Sequence, residues 1–388
     1  MLVTKASPAL LVVDSLHGLV QATPVAPHVL SPQPLATSVS AVLDRLSEWQ
    51  RDFARGQSAS TVRAVRGDWS QYIAWCEGTG SSPLPATVEQ LEAFLENAII
   101  RGRKRATINR YLYTVGLVHD AAGLPNPVKD TRWGNKWKAL VRELGERCAN
   151  DSRQAGELVG RDIQRILLTL GNSARDLRDA AMLSLASDTL LRESELVAVR
   201  IEHFAPVGQD GAYSLRVPFS KANQEGKDGD YRYVDATTMS RIRAWQSVAG
   251  ITRGFLFRPI GGRPKTAPVG ALVGAYDGLP LGRQEVARIF RRRALAAGLD
   301  HAGTISGHSM RIGTANDLIN AGYTTAQIQH AGGWNSPVMV HRYTRRSMAG
   351  QNAVAGLRKQ QRKADRVDPA PSHTLRSDAA DGDADHQA

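Results

Sequence analysis

Between about Ser40 and Glu146 the apolar residues recur at helical spacing and nowhere alternate as a strand would. Val42, Leu43, Leu46 and Trp49 mark one helix face. A second helix, from about Ser58 to Cys76, carries Val62, Val65, Trp69, Tyr72 and Ile73 on one side. Pro83 and Pro85 interrupt the chain, and Thr87 is placed to cap a third helix bearing Leu91, Phe94 and Leu95. A fourth runs from about Ala106 to Gly123 through Tyr111, Leu112, Val115 and Val118. Pro125 and Pro127 separate it from a fifth, about 128–146. Successive amphipathic helices without a strand between them predict a compact all-helical domain over residues 40–146.

The remainder is mixed in character. Residues 147–157 are polar and small and read as an interdomain linker. Helical spacing resumes at Ile163, Ile166 and Leu167 and again over Ala180–Leu191. Tyr213–Phe219 and Tyr231–Val234 then alternate like strands, and a polar, Gly-containing stretch joins them, which predicts a small antiparallel hairpin. Helices are expected at about 281–297 and 306–319, before Gly332-Gly333, and from Ser336, with Pro337 at the first helical position. Val354 and Leu357 suggest a last short helix. The second domain is thus expected over 158–359. Residues 1–39 are Pro-rich and short on charge and read as a flexible arm. Residues 360–388 hold almost no large apolar residue and read as a disordered tail. The fold class that follows is mainly α with a small antiparallel β-sheet, in two domains.

Lys and Arg number 49 against 37 Asp and Glu, a net charge of +12, which points to a polyanionic partner and to nucleic acid first. Basic residues cluster at Arg63 and Arg66, at Arg101, Arg103, Lys104 and Arg105, and at Arg288, Arg291, Arg292 and Arg293. Two basic helical domains on a polar linker suggest a clamp around a duplex; solvated helix faces are the plain alternative. Cys76 and Cys148 are the only cysteines, too few for a zinc cluster or a disulfide framework. No apolar run approaches the roughly 20 residues of a membrane span. A soluble cytoplasmic protein is expected, nucleoid-associated when on DNA. No phosphate loop of the G-x-x-x-x-G-K-[ST] type exists, since Gly226-Lys227 is followed by Asp228. Asp381, Asp383 and Asp385 begin like a calcium loop, but His386 stands where that loop needs glycine.

His308 and Arg311 are spaced to share one helix face. Trp334 and Tyr343 follow, Arg192 lies upstream in Thr189-Leu190-Leu191-Arg192-Glu193-Ser194-Glu195, and Lys221 lies in the predicted hairpin. Taken singly each has a structural explanation; Arg192, for one, can pair with Glu195 at i+3. Taken together they resemble the signature of the tyrosine recombinase (phage integrase) family, and most of all its Cre-like branch. The stretches concerned are Gly307-His308-Ser309-Met310-Arg311-Ile312-Gly313, Gln329-His330-Ala331-Gly332-Gly333-Trp334, Tyr343 and the Arg192 box. Ala74-Trp75-Cys76 and Ala122-Gly123-Leu124-Pro125 are similar to the family's first domain, so the resemblance spans about 40–358.

The resemblance implies a site-specific DNA recombinase built as a clamp, with a helical core-binding domain followed by a mixed α/β catalytic domain. It makes Tyr343 the nucleophile that holds DNA as a 3′-phosphotyrosine. Arg192 and Arg311 would grip the non-bridging oxygens of the transition state with forked, always-charged donors. His308 would add a hydrogen bond or accept the tyrosine proton, and Trp334 would donate its indole N–H. Lys221 is the candidate general acid, with Lys227 its rival, and Glu195 would orient a neighbouring cation. By the same analogy Arg63, Arg105, Asn109 and Arg110 face the major groove, with Arg66 beside them. Arg283 and Gln284 are candidates for base-edge contact. The bond energy is conserved, so no cofactor, ATP or metal is implied. The implied partner is double-stranded DNA with an inverted-repeat site, bound by a homotetramer through a Holliday junction, with a monomer when free and no membrane. Residues 349–359 would form the helix that docks on a neighbouring subunit, or else pack on their own domain. Rival readings are a telomere resolvase, a type IB-like topoisomerase and a non-catalytic DNA-binding protein.

Overall fold

The computed structural model describes residues 38–147, 155–218, 229–260, 279–350 and 352–367. The chain divides into two compact units, Met1–Arg153 and Gln154–Ala388, each with its own apolar core.

The first unit holds helices α1 (Val39–Gly56), α2 (Ala59–Thr79), α3 (Val88–Ile100), α4 (Arg105–Ala122) and α5 (Trp133–Glu146). Hydroxyl caps set three of the starts: Ser38, Ser58 and Thr87 accept the N–H groups of Ala41, Thr61 and Gln90 at 3.2, 3.2 and 3.1 Å. The core is aromatic at its centre. Tyr72 lies 5.0 Å from Phe94 and 5.3 Å from Trp69, and Phe94 lies 5.3 Å from Tyr111. Two polar groups are built into this core. Asp68 takes a two-pronged pair from Arg110, both bonds 2.6 Å. His119 is fully buried and links α4 to the Ala86 backbone.

The second unit begins with α6 (Gly160–Leu168), α7 (Ala174–Thr189) and α8 (Glu193–Val197). Three antiparallel strands follow, β1 (Phe204–Val207), β2 (Ala212–Val217) and β3 (Asp230–Val234), in the order β1-β2-β3. Phe204 pairs with Leu215, and Val217 with Asp230. Helices α9 (Ala236–Ala249), α10 (Arg283–Ala296), α11 (Ser309–Asn320), α12 (Thr325–Gly332), α13 (Pro337–Ala349) and α14 (Ala353–Val367) complete it. α9 packs on α7, and α11 packs on α13.

Several expectations are corrected. The sheet has a third strand, β1, whose four residues are too short to show alternation and include Pro206, which only an edge strand tolerates. Helix α9 was not expected, although Asp235 caps it and Met239, Ile242, Trp245 and Ala249 line its buried side. Its Thr pair and exposed Val248 blur that stripe. The last helix extends to Val367, beyond the expected start of the tail at 360. Lys, Gln, Arg and Ala in that stretch favour helix without supplying an apolar face. The arm at 1–37, linker residues 148–154 and the tail from 368 lie outside the described residues.

Part of the basic cluster on α10 is paired within its own unit, while Arg288, Arg291 and Arg292 stay exposed. Arg292 and Arg293 donate to the fully buried carboxylate of Asp179 at 3.0 and 2.8 Å, and Arg178 joins them at 2.8 Å. Arg291 donates to the Ile305 carbonyl at 2.9 Å. A buried carboxylate requires such partners, and Asp179 finds them in Arg178, Arg292 and Arg293.

Candidate active site

The site assembles where four helix ends meet α13. α7 stops at Leu190, and Arg192 is the N-cap of α8. Glu195 holds that arginine twice, accepting its backbone N–H at 2.9 Å and its Nη1 at 2.7 Å. The i+3 pairing and the proposed orienting role of Glu195 are therefore one arrangement.

Arg311 stands in the first turn of α11 and is 1% exposed. Its Nη1 donates to the Leu190 carbonyl and its Nη2 to the Gly332 carbonyl, the latter at 3.2 Å. Its Nε–H has no acceptor among the described residues. Close packing fixes α11: a Cβ on Gly313 would come within 1.8 Å of the Leu158 carbonyl oxygen. His308 is the N-cap residue of the same helix.

The guanidinium of Arg311 lies 4.8 Å from the Trp334 ring centroid, and that ring lies 5.5 Å from the ring of Tyr343 on α13. Tyr343 in turn hydrogen-bonds Arg311. Trp334 follows the left-handed Gly333, where a Cβ would meet the guanidinium of Arg232. The Trp334 Nε1–H is buried without an acceptor among the described residues.

Electrostatics tie the group together. Burial, then the like charge of Arg192, pushes the Arg311 guanidinium down to about 10, against the pull of Tyr343 and Glu195. Burial, then the charges of Arg311, Arg192 and Arg342, holds the His308 imidazole below its usual value. Burial raises the Glu193 carboxyl, opposed by Arg283 and by the Gly307 N–H.

Arg192, Glu195, His308, Arg311, Trp334 and Tyr343 thus come together. Lys221 and its rival Lys227 lie outside the described residues. Arg63, Arg105 and Asn109 are exposed on α2 and α4, Arg66 is half-buried, and Arg283 and Gln284 are exposed in the first turn of α10. Arg110 differs from these, because its Nε and Nη2 are both bonded to Asp68.

Three residues at the site escaped the sequence. Arg232 sits buried on β3, and its place two residues before the buried Val234, on the same strand face, was the one signal that it points inward. Arg342 is coupled to His308 and stands next to Tyr343. Leu190 had no signal at all.

Residues 157–350 match the phage integrase family. The chain is 25% identical over 336 residues to the recombinase cre of Escherichia phage P1, covering 83% of this chain and 95% of that protein. It is 28% identical over 313 residues to an integrase/recombinase xerD homolog of Selenomonas ruminantium, covering 77% of this chain and 86% of that protein. Among solved structures it resembles the XerH site-specific recombinase bound to a palindromic difH substrate in a post-cleavage complex. The TM-score is 0.59 at 14% identity, over 83% of this chain and 88% of that one, a likeness of fold.

Proposed function

The chain belongs to the phage integrase family, and from that membership we propose that it is a site-specific DNA recombinase acting through Tyr343. The strongest support is the pair of buried donors, Arg311 Nε–H and Trp334 Nε1–H, which have no acceptor among the described residues and lie within one stack that ends on a tyrosine. Buried donors without acceptors are unfavourable unless a ligand supplies the oxygens, and a phosphodiester does.

The Tyr343 hydroxyl attacks the phosphorus, its proton passes to a base, and the 5′ oxygen leaves as a hydroxyl. DNA remains attached as a 3′-phosphotyrosine until the 5′ hydroxyl of another strand reverses the step. Arg311 and Arg192 neutralise the non-bridging oxygens, and Trp334 donates to one of them. His308, neutral near pH 7, accepts the tyrosine proton or hydrogen-bonds the phosphate. The leaving oxygen takes its proton from the β2–β3 connection, where order along the chain favours Lys221 over Lys227. One phosphoester replaces another, so the reaction needs neither ATP nor metal. Full recombination pairs two inverted-repeat sites in a tetramer and passes through a Holliday junction.

Covalent trapping tests this reading. Fragmented, randomly nicked DNA from the native source is mixed with the protein, denatured in detergent, and whatever stays attached is sequenced. Wild type should capture fragments sharing one inverted-repeat site, while Tyr343→Phe should capture none and still bind them. Capture by pure Tyr343→Phe protein would remove Tyr343 from the mechanism. Scattered sequences would indicate a topoisomerase with the same chemistry.

A further inference from the structure

Arg311 is held by main-chain carbonyls at two helix ends, and one of those ends is strained. α7 closes on Leu190 with φ of 49°, in the left-handed region that residues with a Cβ rarely adopt. The Leu190 carbonyl is one of the terminal acceptors that a helix leaves unpaired, and it accepts from Arg311 Nη1. α12 ends in a related way. Gly332 presents its carbonyl to Nη2, and Gly333 turns left-handed with φ of 56°.

Helix C-termini carry partial negative charge, so two of them aimed at one guanidinium offset part of the cost of burying it. Among the described residues Arg311 pairs with no carboxylate, because Glu195 is bonded to Arg192. A carboxylate in contact would cancel the charge that a phosphate has to meet. Carbonyls stabilise the cation and leave it uncancelled, and the Nε–H, without an acceptor among the described residues, remains to donate.

A glycine would take the left-handed turn without strain, yet the residue is leucine and its side chain is buried. It packs with Ala315, Ile328, Trp334 and Val340, and Tyr343 lies against the same cluster. Packing on the elements that carry Trp334 and Tyr343 holds Leu190 in a conformation its backbone disfavours. We propose that Leu190 is a positioning residue: its left-handed turn aims the carbonyl that orients Arg311 toward the scissile phosphate. The inference rests on the recombinase reading above.

The test uses the full chain and a duplex bearing the trapped site, made with an ordinary scissile phosphate or with a methylphosphonate. The methylphosphonate is neutral, so its transition state carries one negative charge less and asks little of a displaced guanidinium. Leu190→Val resists the left-handed turn because it is β-branched, whereas Leu190→Gly adopts it freely. The readout is the ratio of covalent-complex formation rates on the two duplexes, measured within each variant, which a general loss of folded protein does not move. Leu190→Val should lower that ratio about 100-fold, the size expected for a misplaced oxyanion donor. Leu190→Gly should keep the ratio close to wild type even if its melting temperature falls. Should the valine variant not fold, Leu190→Ala serves instead: it matches glycine in lost packing but not in backbone freedom, and its ratio should lie below that of glycine. Equal ratios for glycine and for valine or alanine overturn the inference and leave the recombinase reading standing. Failure of wild type to form a covalent complex with any DNA overturns both.

Discussion

At the residue scale, His308 has a titration whose direction is set by its neighbours. Burial and three guanidinium neighbours, Arg311, Arg192 and Arg342, disfavour the imidazolium. The ring therefore stays neutral below the usual histidine value and can accept a proton at pH 7. The rate of covalent-complex formation should be level through neutral pH and fall only as acid protonates the ring, below about pH 6.5. His308→Gln should be slower and should lack that acid limb. A limb that persists in the glutamine variant would assign the titration to another group. Glu195 illustrates how far a residue pattern carries: its spacing from Arg192 was visible as a possible ion pair. That both its oxygens serve the same arginine, through backbone and side chain, depends on Arg192 being an N-cap.

At the element scale, helix α4 is anchored through a histidine that works only when neutral. The Ala86 N–H donates to His119 Nε2 at 2.8 Å, so the proton sits on Nδ1 and is donated to the Val115 carbonyl at 2.7 Å. A second proton would remove the acceptor that Ala86 needs, and burial holds the ring below its usual value. The folded value is the lower one, so the unfolded chain binds more protons between the two. The contribution of His119 is then fully present above about pH 6.5 and is lost as pH falls through the folded value. Urea unfolding followed by tryptophan fluorescence should show the first unit weakening between pH 7 and pH 5. The drop should be smaller in His119→Gln. The helices of this unit were readable because their stripes and hydroxyl caps are local. Strand β1 and helix α9 were not: one is too short to show a period, and the other's apolar stripe is interrupted.

At the scale of the whole molecule, two separate cores carry a chain of net charge +12. Some of that charge is paired within the units: Arg292 and Arg293 are bonded to Asp179, and Arg110 to Asp68. Exposed candidates remain on both units, among them Arg63, Arg105 and Arg283. If the protein neutralises six or more phosphates, its affinity for a duplex without the site should fall about 1,000-fold between 50 and 200 mM salt. A fluorescence-anisotropy titration at several salt concentrations gives the slope. Arg63→Ala should reduce that slope by about one if Arg63 meets a phosphate, while Arg292→Ala should leave it unchanged.

The sequence alone determined the mainly helical class and the helices of the first unit, and it singled out Arg192, His308, Arg311, Trp334 and Tyr343 as candidates. Those features reside in local periodicity, in caps and in spacing along the chain, none of which needs a distant contact. Tertiary structure alone decided which arginines are bonded to Asp68 or Asp179, because a buried carboxylate acquires its partners only on packing. It also decided how Arg311 is held. Leu190 and Gly332 lie 121 and 21 residues from Arg311 along the chain. Their carbonyls meet it only because two helices end beside a third, and a backbone carbonyl carries no signature in the sequence.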